Sequence, residues 1–191
     1  MGYLIDLIGS YIIGGFVLLI IAMLNIYVDN TSTNIIFNNV AQGDLTSGVD
    51  LINNDFYKIG YRAPLHPIIS ADSSNISFCS DINDSGTIDT LQYYSGTTAQ
   101  LTTTKNPNDM PLYRLINNQS PTIGLIVTDF KLTYYDSIGV QIPYSALITQ
   151  AARDQIKSVN IYLKVESQDP VNGLYQAGEW QKTITPENLI L

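Results

Sequence analysis

The sequence predicts an α+β fold: a long N-terminal hydrophobic α-helix followed by a globular domain built on an antiparallel β-sheet. Three observations lead there. Residues 7–24 hold no charged side chain and are mostly Leu, Ile, Val, Phe, Met or Ala. Further on, Leu45, Val49, Ile52 and Phe56 follow one another at steps of four, three and four, the spacing of one helix face. Past residue 74 the period falls to two, most clearly where Val159, Ile161, Leu163 and Val165 alternate with Ser158, Asn160, Tyr162 and Lys164.

The chain divides accordingly into residues 1–28, a transmembrane or filament-core helix; residues 29–60, its amphipathic continuation; and residues 61–191, a β-rich head. The first part has the length for a bilayer, since about 20 apolar residues in a helix cross the hydrocarbon. A helix also satisfies its own backbone hydrogen bonds, which a water-free setting requires. No basic region precedes the apolar run, as a secretory signal would need, and residues 25–28 make a poor cleavage site. The first cation after it is Lys58, so charge gives no orientation. Asp6 is the one carboxylate at the edge of the run, and it requires a positive partner or a helix N-terminus to offset its burial.

Read from Gly2, the chain begins Gly2-Tyr3-Leu4-Ile5-Asp6-Leu7. This resembles the mature start of type IV pilins and pseudopilins, which runs aromatic, Thr, Leu, Ile, Glu, Leu. Asp6 falls on the family's acidic position. The resemblance implies that Asp6 pairs with the free amine of a neighbouring subunit, Gly2 once Met1 is removed, and so fixes axial register. Asp stands here for the usual Glu, Gly2 stands for an N-methylated Phe, and no basic leader precedes it. Gly9, Gly14 and Gly15 would let sister helices approach closely, or reflect the ordinary tolerance of membrane helices for Gly.

After residue 28 the helix is expected to continue through Ile35, Ile36 and Val40 to Ile59, ending at the αL-prone Gly60. The run from Asp29 to Asn34, with Gly43 and Gly48, contains poor helix formers and suggests a kink or a melted turn. Residues 50–61 resemble the helix exit of large pilin-like proteins. Pro64 and Pro67 then impose a loop around His66.

Residues 74–79 and 90–94 read as a hairpin around a cluster of Asp, Asn, Ser and Gly. That cluster partly matches a calcium loop, with Asp81, Asn83 and Ser85 at ligand positions and Gly86 at the turn. Gln92 takes the place of the bidentate Glu, and strands rather than helices flank the loop, so a plain turn is the preferred reading. Residues 101–110 read as irregular, 112–115 as a short strand, 117–121 as a turn. Strands follow at 123–127 and 130–136, a helix or loop at 144–153, a strand at 158–165, a polar loop at 167–178 and a last strand closed by Pro186. This order resembles the large type IV pilin-like subunits along nearly the whole chain.

Of the 191 residues only 14% are charged, and the net charge is −8, which argues against a nucleic-acid surface. One Cys and one His leave no internal disulfide, no Cys/His zinc set and little material for triad catalysis. No phosphate loop, nucleophile elbow or C-x-x-C-H run occurs, so no enzymatic activity and no cofactor are expected. The sequons at Asn30, Asn75, Asn83 and Asn118 read as chance in an Asn-rich chain, while Thr31 to Thr33 is a stretch open to modification. The expected function is structural: a subunit of an extracellular pilus-like filament, held in the membrane before assembly and handled by pilus machinery. The alternatives are a minor pilin or pseudopilin and a monomeric membrane-anchored surface binding domain.

Overall fold

A computed structural model describes residues 2–63, 65–170 and 173–190, without the side chains of residues 33, 34, 37–42 and 44. The expectations resting on Met1, on Pro64 and on the side chains of Thr33, Asn34 and Val40 lie outside the described residues. Helix α1, Gly2–Tyr57, is 56 residues long, or about 84 Å at 1.5 Å per residue. It is helical at every position, so the melted turn that the Asp29–Asn34 region suggested does not occur. Part of the reason is local: the Thr31 hydroxyl donates to the Tyr27 carbonyl at 2.8 Å, so this polar side chain satisfies itself on the helix instead of opening it.

Two antiparallel sheets follow, where one was expected. Sheet A is a five-stranded meander of β1 (Ile68–Ala71), β2 (Asn75–Ser80), β3 (Asp89–Ser95), β4 (Met110–Ile116) and β5 (Thr122–Val127), paired in sequence order. The chain then crosses at Thr128 into sheet B, whose order is β7 (Gln141–Ile142), β6 (Asp129–Tyr135), β8 (Ser158–Glu166) and β9 (Ala177–Ile184). Short helices α2 (Gln150–Arg153) and α3 (Glu187–Ile190) complete the head. In β8 the four apolar residues are buried and the polar ones between them half-buried, as the alternation required. β1, β7 and α3 escape a period-based reading because none exceeds four residues.

The rear of α1 packs across both sheets, against β5, β8 and β9. Leu45, Val49, Ile52, Phe56 and, just past the helix, Ile59 are buried on one face, as their spacing predicts. Phe56 lies between Phe78 and Tyr93, with ring centroids 5.7 and 5.5 Å away. Gly48 allows the closest approach: a Cβ there would stand 3.1 Å from Leu125 Cδ2. Ile26, Ile35 and Ile36 remain exposed, and among the described side chains of α1 the first buried one is Leu45. All buried apolar residues of the two sheets and the helix join one core.

Candidate functional site

Two regions of α1 differ sharply in their surroundings. The front, Gly2–Ser32, is 31 residues long; its most apolar 18-residue window has mean hydropathy 2.5, and none of that window is buried by the rest of the chain. Leu, Ile, Val, Phe and Tyr side chains project all round it: Leu4, Ile5, Ile8, Ile12, Phe16, Leu19 and Met23 are each more than half exposed. A helix apolar on every side belongs in lipid or among other apolar helices.

The front places the expected assembly residues as follows. Gly2, Asp6 and Gly9, at steps of four and three, share one face of the helix. Gly14 and Gly15 project elsewhere, roughly 140° and 120° from Gly9 at 100° per residue, so the five residues do not form a single stripe. A Cβ at any of the four glycines would meet nothing within 4 Å. These glycines therefore have no packing role inside the single chain. Asp6 is exposed, and no acidic residue occupies the first turn, where a carboxylate best complements the helix dipole. The Asp6 carbonyl accepts the Ser10 hydroxyl at 2.7 Å.

The rear is fastened by buried polar groups that the sequence reading did not single out. Asp55 is fully buried on the face that carries Ile52 and Phe56. Arg114 of β4 donates to it twice, from Nε to Oδ2 at 2.6 Å and from Nη2 to Oδ1 at 3.1 Å. The Tyr93 hydroxyl of β3 donates to the same Oδ2 at 2.5 Å. Burial, and beyond it the Asp55 charge, push the Tyr93 phenol far above its ordinary range, so it remains a neutral donor. Burial works against the Arg114 charge, but the Asp55 hydrogen bonds outweigh it and raise the guanidinium further. The available signal was an acidic residue on an otherwise apolar helical stripe, a position that requires a buried partner.

The exit from α1 is stitched to the hairpin of β2 and β3. The Ser80 hydroxyl donates to the Lys58 carbonyl at 2.6 Å, and Gly60 N–H donates to the Cys79 carbonyl at 3.0 Å. Lys58 Nζ reaches the Ile82 carbonyl at 2.8 Å and Asp84 at 3.0 Å. Gly60 takes the left-handed conformation expected of it, with φ of +79°.

The loop that resembled a calcium site serves this joint. Asp81 accepts backbone N–H groups from Ser85 and Gly86, each at 2.9 Å, and pairs with Arg62 at 2.9 Å. Asn83 Oδ1 accepts Ser85 N–H at 3.1 Å. Burial raises the Asp81 carboxyl, but the Arg62 hydrogen bond and the two amides outweigh it and hold it below the usual carboxylate range. Arg62 and the two amides thus already engage both oxygens of Asp81. His66, the remaining singular residue, lies 2.7 Å from Asp154 at the start of the head, while Cys79 is half-buried on β2. The Asp154 carboxyl is raised by burial and lowered more strongly by Gln150 and His66.

Comparison with known proteins adds no assignment. No family model matches the chain, no curated protein matches it, and no solved structure matches its fold.

Proposed function

We propose that this chain is a structural subunit of a type IV pilus-like filament, non-catalytic, with the front of α1 forming the filament core and the head its outer layer. The observation that carries the reading is the continuity of α1. One helix is fully exposed and apolar in front, and bound to the head by a buried ion pair behind. Such a rod transmits the orientation of its front to the head without a flexible joint. Copies packed front to front would place every head in the same relation to its neighbours. A non-closing head-to-tail contact of this kind propagates as an open helix.

The span Gly2–Ser32 is 31 residues long, or about 46 Å, and its uncharged stretch 7–24 makes up about 27 Å of that, close to a hydrocarbon core of about 30 Å. In a bundle of sister helices the whole length is covered. Burying each large side chain there contributes about 1.5–3 kcal/mol relative to water, although the gain relative to lipid is smaller and rests on packing. Asp6, facing the same way as Gly2, is the group we assign to register through a neighbour's amine. In lipid, before assembly, the front serves as the membrane anchor.

The second reading is a monomeric membrane-anchored domain, favoured by the same apolar length. Shearing cells and pelleting the supernatant separates the two. Filaments in electron micrographs of the sheared pellet support the polymer. A protein that remains with the membranes, and disperses as single copies in detergent, refutes it.

A further inference from the structure

The two ends of the head present different surfaces, and α1 fixes which end is which. A Cβ at Gly178, near the start of β9, would stand 3.3 Å from Leu45 Cδ2, while Lys182, four residues on, lies over the Tyr57 ring at 5.2 Å. β9 therefore runs beside the rear of α1 and in the same direction. Antiparallel pairing then assigns each turn of sheet B to one end, and the bond from Gly60 N–H to the Cys79 carbonyl does the same for sheet A. Facing the front of α1 are the loops of residues 96–109 and 167–176. They are joined where Asn106 donates to Glu166 at 3.0 Å and to the Ser167 carbonyl at 3.4 Å, and Asp109 is buried in the first of them. At the opposite end, around the exit of α1, lie residues 61–67, the β2–β3 and β6–β7 turns, residues 143–157 and α3.

The exit end carries a group of exposed aliphatic side chains. Leu65 is 84% exposed, Ile138 and Ile148 81% each, Ile190 60% and Val140 55%. In the two front-facing loops, among the described residues, Leu174 is the one large apolar side chain so exposed. Single exposed apolar residues are ordinary, but a group gathered at one end marks an interface. Ile190 lines a cavity of about 340 Å³ with Ser137, Gly139, Lys157 and Thr185, and Ile138 and Val140 flank Gly139 in the chain. Lys157 Nζ donates to the Leu189 carbonyl, so its charge is engaged on α3. α3 in turn touches the end of the rod, where Asn188 Nδ2 donates to the Ile59 carbonyl at 3.4 Å.

We propose that the exit end of the head receives the apolar front of α1 from a second copy of this chain. The proposal rests on the filament reading and names a contact within that polymer. Direction selects the occupant. Where rods lie parallel, the exit end of one head can be reached only by a copy further along the axis, and the part of that copy pointing back is its front. The exit end lies about 84 Å from the tip of its own 56-residue rod. A copy advanced by about 45–84 Å therefore brings some residue between 2 and 28 level with it. The front is apolar on every side, so it offers large apolar side chains to the cavity whatever its rotation. The contact joins two different surfaces of one chain and does not close on itself. A two-fold pair through either surface alone would leave the other exposed.

The test uses filaments sheared from cells and the full chain in detergent. Ile138→Asp and Ile190→Asp replace side chains that are more than half exposed. Both variants should melt in detergent within about two degrees of wild type and reach the membrane at its level. Their filament yield should fall at least about tenfold, because the neighbour's front would have to bury a carboxylate. Leu174→Asp, at the other end of the head, should leave the yield unchanged. A benzophenone side chain introduced at Ile138 or, separately, at Ile148 identifies the occupant on irradiation of filaments. Mass spectrometry should find it joined to a residue between 2 and 28 of another copy. Wild-type yield from both Asp variants overturns the proposal and leaves the filament reading standing, whereas a wild type that forms no filaments removes both. A link to another exit end, to lipid or to a foreign protein also overturns it, as does the absence of any link.

Discussion

Asp55 and Arg114, 59 positions apart, form a two-pronged ion pair beneath the rear of α1, with Arg114 Nε 2.6 Å from Asp55 Oδ2. The pair specifies rotation as well as contact. A slip of one residue along α1 would turn the helix by about 100° and advance it about 1.5 Å, removing the carboxylate from the fork. Apolar side chains such as Val49 and Ile52 tolerate small slips more readily than a bidentate pair does. We therefore expect Asp55→Ala to cost about 3–5 kcal/mol, because it strands the mostly buried guanidinium. The double replacement Asp55→Leu with Arg114→Met should recover most of that loss. Urea unfolding of all variants in one detergent reads the cycle. Two single losses that simply add would show that the residues are not coupled.

Acid should act on the joint between rod and head through Asp81. Its carboxyl is held below the usual range, against the effect of burial, by Arg62 and by the amides of Ser85 and Gly86. A lowered native pKa makes the group stabilising above its unfolded value, about 3.9, and that contribution disappears as pH falls through the native value. The head should accordingly lose stability below about pH 4, and Asp81→Asn should flatten this acid limb. Thermal midpoints between pH 2.5 and 6 test the point. Parallel curves for wild type and Asp81→Asn would remove Asp81 from the acid response.

Much of this architecture was legible in the residues, and the remainder was hidden for definable reasons. The apolar front, the face from Leu45 to Ile59, the hairpin of β2 and β3 and the alternation of β8 all follow from periodicity. Periodicity has no register for where a chain changes sheets, so the crossing at Thr128 was invisible, and one sheet was expected where two exist. β1 was obscured by Pro67 and by its four-residue length. The poor helix formers of residues 29–34 misled because propensity is a small local effect, overridden in a helix of 56 residues. Asp55 was visible as an anomaly on its stripe, but no local pattern names Arg114 as its partner. Asp109 was hidden entirely, since burial of a loop carboxylate depends on the facing loop that carries Glu166 and Ser167.

The exit at Gly60 provides a more local test of how firmly the rod is held. Its φ of +79° is a conformation that a side chain disfavours, at about 1–2 kcal/mol. A Cβ there would also stand 3.2 Å from Asn188 Cβ and 3.4 Å from Pro67 Cβ, so the substituent meets α3 and the loop before β1. Gly60→Ala should therefore lower stability by about 1–2 kcal/mol or slightly more, and Gly60→Val by more again, as measured by thermal unfolding. By contrast Gly86, also in the left-handed region but with nothing within 4 Å, should show the backbone cost alone. If Gly60→Ala and Gly86→Ala cost the same, the contacts with Asn188 and Pro67 contribute nothing.

The front of α1 allows assembly to be separated from folding. Because a Cβ at Gly9, Gly14 or Gly15 would touch nothing in the single chain, larger residues there leave the head's packing untouched. Leu is also a better helix former than Gly, by roughly 0.5–1 kcal/mol. Gly9→Leu and Gly14→Leu should thus unfold in detergent at the wild-type midpoint or slightly above it. Any defect they produce must arise between copies, where a bulky side chain prevents close helix approach. The two positions lie on different faces, roughly 140° apart, so they also report which face meets a neighbour. Gly9 shares its face with Gly2 and Asp6, the face assigned to register. We therefore expect Gly9→Leu and Asp6→Ala to reduce filament yield strongly in sheared, pelleted material, at unchanged membrane levels of the subunit. Gly14→Leu should reduce yield only if a second neighbour packs on the opposite side, as a helical array with more than one contact requires. Wild-type yields from all three variants would mean that this face of the rod meets lipid or solvent instead of a sister rod.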